Sequence, residues 1–106
     1  MESDWIIFRR QVPEWRERYL RMKNREIAAT LADESRSPTE QFWEAKKKME
    51  QEARVLTDCL DGHSRSDMDF YLVLMHRRGL IKDEDMEEFS ATLQAEVLGT
   101  SKGVRA

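Results

Sequence analysis

The sequence predicts an all-α fold, a small up-and-down bundle of about four helices. Three observations predict it. Apolar residues recur every three or four positions along most of the chain, which places them on one face of a helix. Glycine and proline are scarce, 4 and 2 in 106 residues, whereas sandwiches and barrels need many turn residues. One stretch, Ser37 to Gly62, carries helix signals at both of its ends.

The chain begins with a short helical turn that Ser3 can cap. Trp5-Ile6-Ile7-Phe8 alone is compatible with a strand, but Phe8, Val12, Trp15, Tyr19 and Met22 follow the 4-3-4-3 spacing of a coiled-coil-like seam. Pro13 disfavours helix at Val12 and cannot donate to the preceding turn. A kink or break is therefore expected near Val12, followed by a long helix over residues 13–32. Glu14–Arg18 and Glu17–Arg21 are i,i+4 pairs in the favourable order. Asp33-Glu34-Ser35-Arg36 is too short a link for anything but antiparallel neighbours.

The second helix is expected over residues 38–61. Ser37 and Glu40 form a capping box, in which each side chain accepts from the other residue's backbone N–H. Pro38 falls at the first helical position, and Gly62 suits the left-handed residue that ends a helix. Phe42, Ala45, Met49, Ala53, Leu56 and Cys59 or Leu60 form its expected buried stripe. Glu44, Lys47, Lys48, Gln51 and Arg54 lie opposite.

A third helix is expected over residues 67–78, with Ser66 as N-cap, Asp67 and Asp69 near the positive end of the dipole, and Gly79 as terminator. It is apolar on most sides, with Phe70, Val73 and Leu74 beside Met68, Tyr71, Leu72 and Met75. Asp83 can cap a fourth helix over residues 83–98, with Met86, Phe89, Leu93 and Val97 inward. Residues 1–98 then form one domain and 99–106 a frayed tail. No repeat or low-complexity tract is evident.

Composition bounds the function. The chain is 40% hydrophobic and 37% charged, with net charge −3. No apolar run is long enough for a membrane span. Met1-Glu2-Ser3-Asp4 is acidic and the apolar run behind it is short, unlike a secretory leader. With one cysteine, Cys59, no internal disulfide can form, and a cytoplasmic location is expected. Residues 1–32 carry seven Lys/Arg against five Asp/Glu, while residues 83–96 carry six Asp/Glu and no Lys or Arg. Two such segments can attract each other, within one fold or between protomers.

Candidate sites are weak. Cys59 and His63 have a ligand-like spacing of four, but Gly62 should separate them and no further ligand completes a metal site. They are equally poor as a nucleophile–base pair, for want of an oxyanion turn or an orienting third group. No catalytic, cofactor-binding or metal residue is assigned. Arg16, Arg18, Arg21, Lys23 and Arg25, interleaved with aromatics, suggest a nucleic-acid surface as the alternative reading. The acidic overall charge argues against it, as does the acidic start of the fourth helix, where DNA phosphate would be repelled. The expectation is a non-enzymatic protein-interaction module, a regulator, adaptor or inhibitor, and a homodimer is compatible with it. Its candidate contacts are Trp5 and Ile6 in the N-terminal apolar cluster, and Trp43 and Lys47 beside the second helix's stripe.

Overall fold

The computed structural model describes residues 2–103. Among them there are four α-helices and no strand: α1 (Glu2–Leu31), α2 (Pro38–Leu60), α3 (Met68–Arg77) and α4 (Ala91–Gly103). Short 3₁₀ turns, Arg65–Asp67 and Asp83–Met86, precede α3 and α4.

Helix α1 is continuous through Pro13, so the expected break near Val12 does not occur. The reason lies in the stripe. Phe8, Val12, Trp15 and Tyr19 are all buried, and their common face requires one helical register on both sides of the proline. Pro13 itself is exposed, as is Arg9. The Arg9 carbonyl, which loses its donor to the proline ring, therefore lies on the wet side of the helix. At 30 residues, α1 is about 45 Å long.

Helix α2 starts as its sequence dictates. The Glu40 N–H donates to Ser37 Oγ at 3.1 Å, and the Ser37 N–H donates to Glu40 Oε1 at 2.9 Å. Gly62 has φ +73° behind its last turn. The stripe is only half as expected. Ala45, Cys59 and Leu60 are buried, and Leu56 is half-buried, but Phe42, Met49 and Ala53 are exposed. The N-terminal half of α2 has α1 as a neighbour and no third helix over it.

The link between α1 and α2 is a tight polar turn. Asp33 Oδ1 accepts from the N–H and the hydroxyl of Ser35, at 3.1 and 2.6 Å. Gln41 Nε2 reaches back to the Asp33 carbonyl at 2.6 Å, and Lys48 Nζ donates to Thr30 Oγ1 at 2.6 Å. These bonds fix α1 and α2 as an antiparallel hairpin.

The third helix differs at its start, where a 3₁₀ turn replaces the Ser66 cap and Ser64 Oγ donates to Asp67 Oδ2 at 3.0 Å. Its end follows expectation. Gly79 has φ +81°, the Leu80 N–H bonds the Met75 carbonyl and the Gly79 N–H bonds the His76 carbonyl. This is the paired-bond pattern of a Schellman terminator.

The expected fourth helix is split. Asp83–Met86 is a 3₁₀ turn, and α4 begins only at Ala91. Asp85 Oδ2 accepts the Lys82 N–H at 2.7 Å, which closes the turn, and Ser90 restarts the helix by accepting the Leu93 N–H on its Oγ at 3.2 Å. Met86, Phe89, Leu93 and Val97 are nevertheless all buried. Helix α4 continues through Gly103, into the expected frayed tail of residues 99–106; residues 104–106 lie outside the described residues.

The core joins the N-terminal half of α1 to the far end of α2, α3 and α4. It takes nothing from α1 beyond Tyr19 and nothing from α2 before Val55. The rest of the hairpin projects as an arm. The radius of gyration, 16.4 Å, and the long extent of 52 Å reflect this projection, since a compact chain of 100 residues has a radius of about 13 Å.

Replacing Pro13 with Ala restores a donor in mid-helix and removes a ring clash. Pro13→Ala is expected to raise unfolding stability by about 1–3 kcal/mol, read from urea denaturation. A destabilised variant would show that the proline is required by the helix rather than tolerated.

Candidate functional site

Two features organise the surface, a charged clamp at the base and an apolar face on the arm. The clamp uses the basic residues of α1. Arg18 forms a bidentate pair with Asp85, at 2.9 and 2.7 Å, and donates to the Leu80 carbonyl at 2.9 Å. Arg10 pairs with Glu88, and Gln11 donates to the same carboxylate at 3.3 Å. Arg65 of the turn before α3 pairs with Glu2 at 2.8 Å. The opposite charges at the two ends of the chain therefore meet within one fold.

Asp4 completes the clamp. It is only 3% exposed. One carboxylate oxygen accepts the Ser90 N–H and the other accepts the Ser90 hydroxyl, both at 2.8 Å. Ser90 is also the residue that starts α4, so one side chain ties the first turn of α1 to the first turn of α4. A carboxylate there is further favoured by the helix dipole. Nothing local in the sequence announces this pair, whose members lie 86 residues apart.

The nucleic-acid candidates are dispersed by this arrangement. Arg18 is occupied by Asp85. Lys23 lies 3.5 Å from Glu26 and 3.8 Å from Glu52, with its ammonium 5.5 Å from the Tyr19 ring centre. Arg16 is half-buried, while Arg21 and Arg25 are exposed. Beside Lys23, Tyr19 hydrogen-bonds Glu52; burial, aided by that carboxylate, holds its phenol above the ordinary range.

The cysteine–histidine pair does not form a reactive unit. Cys59 is buried, and burial pushes its thiol up, away from the thiolate form. His63 Nε2 lies 2.7 Å from the carbonyl oxygen of Cys59, not from its sulfur, so that nitrogen carries the hydrogen. The His63 ring packs edge-on between Phe8 and Tyr71, 4.9 and 4.6 Å between centres. Among the described residues no group of His, Cys, Asp and Glu is arranged to hold a metal, and no helix is long and apolar enough to cross a membrane.

The partner-contact candidates separate. Trp5 is half-buried and stacks on Phe8 with ring centres 5.7 Å apart. Ile6, beside it, is exposed. Trp43 is exposed, meets Phe42 edge-on at 5.1 Å and has the Lys46 ammonium 5.7 Å from its ring centre. Lys47 is exposed on the same helix. Sequence reasoning missed Phe42 and Met49 as surface residues, because their spacing matched a buried stripe.

With these two added, the arm becomes the dominant apolar surface. Seven large apolar side chains are exposed among the described residues, and five of them, Met22, Leu31, Phe42, Trp43 and Met49, belong to the arm. A groove of about 130 Å³ runs between its helices, lined by Leu20, Lys23, Asn24 and Ile27 of α1 and Met49, Glu52, Ala53 and Leu56 of α2. No family model, curated protein or solved structure matches the chain.

The clamp makes stability depend on acid. Burial works to raise the Asp85 carboxyl, but the Arg18 hydrogen bonds, the Lys82 N–H and the nearby positive charge outweigh it and hold the group below its usual value. A carboxyl lowered by folding stabilises fully above its unfolded value, about 3.9, and loses that contribution as pH falls through the folded value. Asp85→Asn is therefore expected to destabilise at pH 7 by about 1 kcal/mol, Arg18 being partly screened by solvent. That difference from wild type should shrink below pH 4 in pH-resolved thermal melts, whereas an unchanging difference would remove the titrating role of Asp85.

Proposed function

We propose that this chain is a non-enzymatic protein-interaction module that docks through the apolar face of its α1–α2 arm. The observation that carries the reading is the exposure of Phe42, Trp43 and Met49, at 56, 58 and 57%, all on one helix of an arm that no other helix covers. Contiguous apolar surface of this kind marks an interaction site in a stable protein, and aromatic anchors dominate binding energy. The base supplies a rigid mount, and the arm presents the contact. A cytoplasmic regulator, adaptor or inhibitor that works by occupying a partner fits this division.

The nucleic-acid reading draws less support. Its central cations, Arg18 and Lys23, already neutralise carboxylates of the same chain, and affinity for phosphate needs cations free to displace counterions.

Affinity capture from the native host with Phe42→Asp/Met49→Asp as comparator tests the proposal. Both positions are exposed, so the circular dichroism and melting temperature of the variant should stay close to wild type. Loss of the wild-type partners is the expected outcome. An identical partner set for a folded double variant would show that the arm face is not the docking site.

A further inference from the structure

Resting on the arm-docking reading, we infer that the occupant of the arm face is a second copy of the same chain, and that two arms pair about a two-fold axis into a four-helix layer. Four observations support a second copy: two describe a face fitted to helices, and two, Asn24 and the charged flank, make that face complementary to itself.

The first is periodicity. On α1, Leu20, Asn24, Ile27 and Leu31 follow a 4-3-4 spacing; on α2, Phe42, Met49, Ala53 and Leu56 follow 7-4-3. Both are heptad registers, so each helix presents a seam that fits another helix at a shallow crossing angle. The groove lining shows that the two seams adjoin on one face, since Leu20, Asn24 and Ile27 share it with Met49, Ala53 and Leu56. An extended peptide would instead want an open sheet edge.

The second is Asn24. It stands in the middle of an otherwise apolar seam. An amide donates and accepts at once, so Asn24 can satisfy its own copy across a two-fold axis. A single asparagine on such a seam fixes register and the number of helices, at some loss of stability.

The third is charge. Lys46 and Glu50 are exposed and pair with each other at 3.0 Å, one turn apart on the flank of the α2 seam. Met49 shares the groove with Asn24. A two-fold axis at that level runs the second α2 antiparallel and sets Lys46 of one copy against Glu50 of the other, and the reverse. The flank is thus complementary to itself, as an isologous contact requires.

The fourth is area. From Phe42 to Leu56 the face is about 25 Å long with its end side chains, and two helices at ~10 Å spacing make it about 20 Å wide. That footprint, about 500 Å² per partner, falls below the ~800 Å² per partner of a standard interface and in the class of weak, reversible pairs. In the isolated arm only Ile27, Thr30 and Ala45 are buried, whereas pairing gives both helices a second layer.

Sedimentation equilibrium between roughly 1 μM and 1 mM tests the pairing. Wild type is expected to convert from monomer to dimer within this range. Met49→Glu, which sets two acids together at the centre of the face, is expected to raise the dimer dissociation constant by at least about tenfold. In a Cys59→Ala background, Asn24→Cys is expected to form a disulfide-linked dimer on oxidation, because its own copy stands opposite. Thr92→Cys at the base is expected to remain unlinked. A monomer throughout the range overturns the inference, as does a dimer that Met49→Glu leaves intact, or one linked at Thr92 and not at Asn24. A monomer whose captured partners still depend on Phe42 and Met49 refutes self-pairing alone; a dimer dependent on Met49, joined with host partners indifferent to both positions, refutes only the docking of a foreign protein.

Discussion

Helix α1 has to remain one rod from Glu2 to Leu31, because it serves two structures at once. Its first half is a wall of the core, through Phe8, Val12, Trp15 and Tyr19. Its second half is a strut of the arm, where Ile27 and Thr30 are its buried residues. A break at Pro13 would rotate Phe8 and Val12 off the face that holds Trp15 and Tyr19. Burying a large apolar side chain contributes about 1.5–3 kcal/mol, so the stripe together outweighs the roughly 3 kcal/mol by which a proline disfavours mid-helix. The proline is tolerated because its orphaned carbonyl faces water.

A rod of this length then needs its base held. The α3–α4 pair is joined to α1 by apolar contact and by the clamp, Asp4 on Ser90 and Arg18 on Asp85. The two bonds differ in kind. Asp4 is sealed in and accepts from the N–H and hydroxyl of Ser90, the residue that starts α4, so that contact sets geometry. Arg18 is half-exposed, and its pair with Asp85 is discounted by solvent. Placing the chain's basic and acidic segments face to face also engages Arg10 and Arg18 of α1 with carboxylates of the same chain. Most of the exposed large apolar side chains among the described residues are then on the arm, with Ile6 and Phe70 exposed on the base.

Much of the fold was legible in the residues. Ser37 with Glu40, Gly62 and Gly79 are local signals with local causes, and each acts where the sequence places it. The stripe of Phe8, Val12, Trp15 and Tyr19 was legible too, although Met22, its last expected member, is exposed; so was the attraction between the two charged ends. The failures share one cause, which is that periodicity identifies a face without saying what lies against it. Phe42 and Met49 fit the α2 stripe, yet no helix reaches them. Met86, Phe89, Leu93 and Val97 fit a continuous helix, yet Asp85 is drawn to Arg18 and Lys82, and Ser90 to Asp4, so the segment breaks and still buries all four. The position of Trp43 off the stripe was legible, but whether it or Trp5 stays exposed was not; Trp43 is exposed and Trp5 folds back onto Phe8. The candidate site, the arm face, emerges only when the position of α3 and α4 shows which half of the hairpin stays bare.

Pairing of two arms would cover the arm and leave the base as it is. Amide hydrogen exchange across a dilution series addresses it most directly, because it reads each helix separately. Protection is expected to rise with concentration at residues 20–31 and 42–56 while residues 68–98 stay constant. Protection of the arm that ignores concentration, or a rise confined to α3 and α4, would show that the arms do not pair.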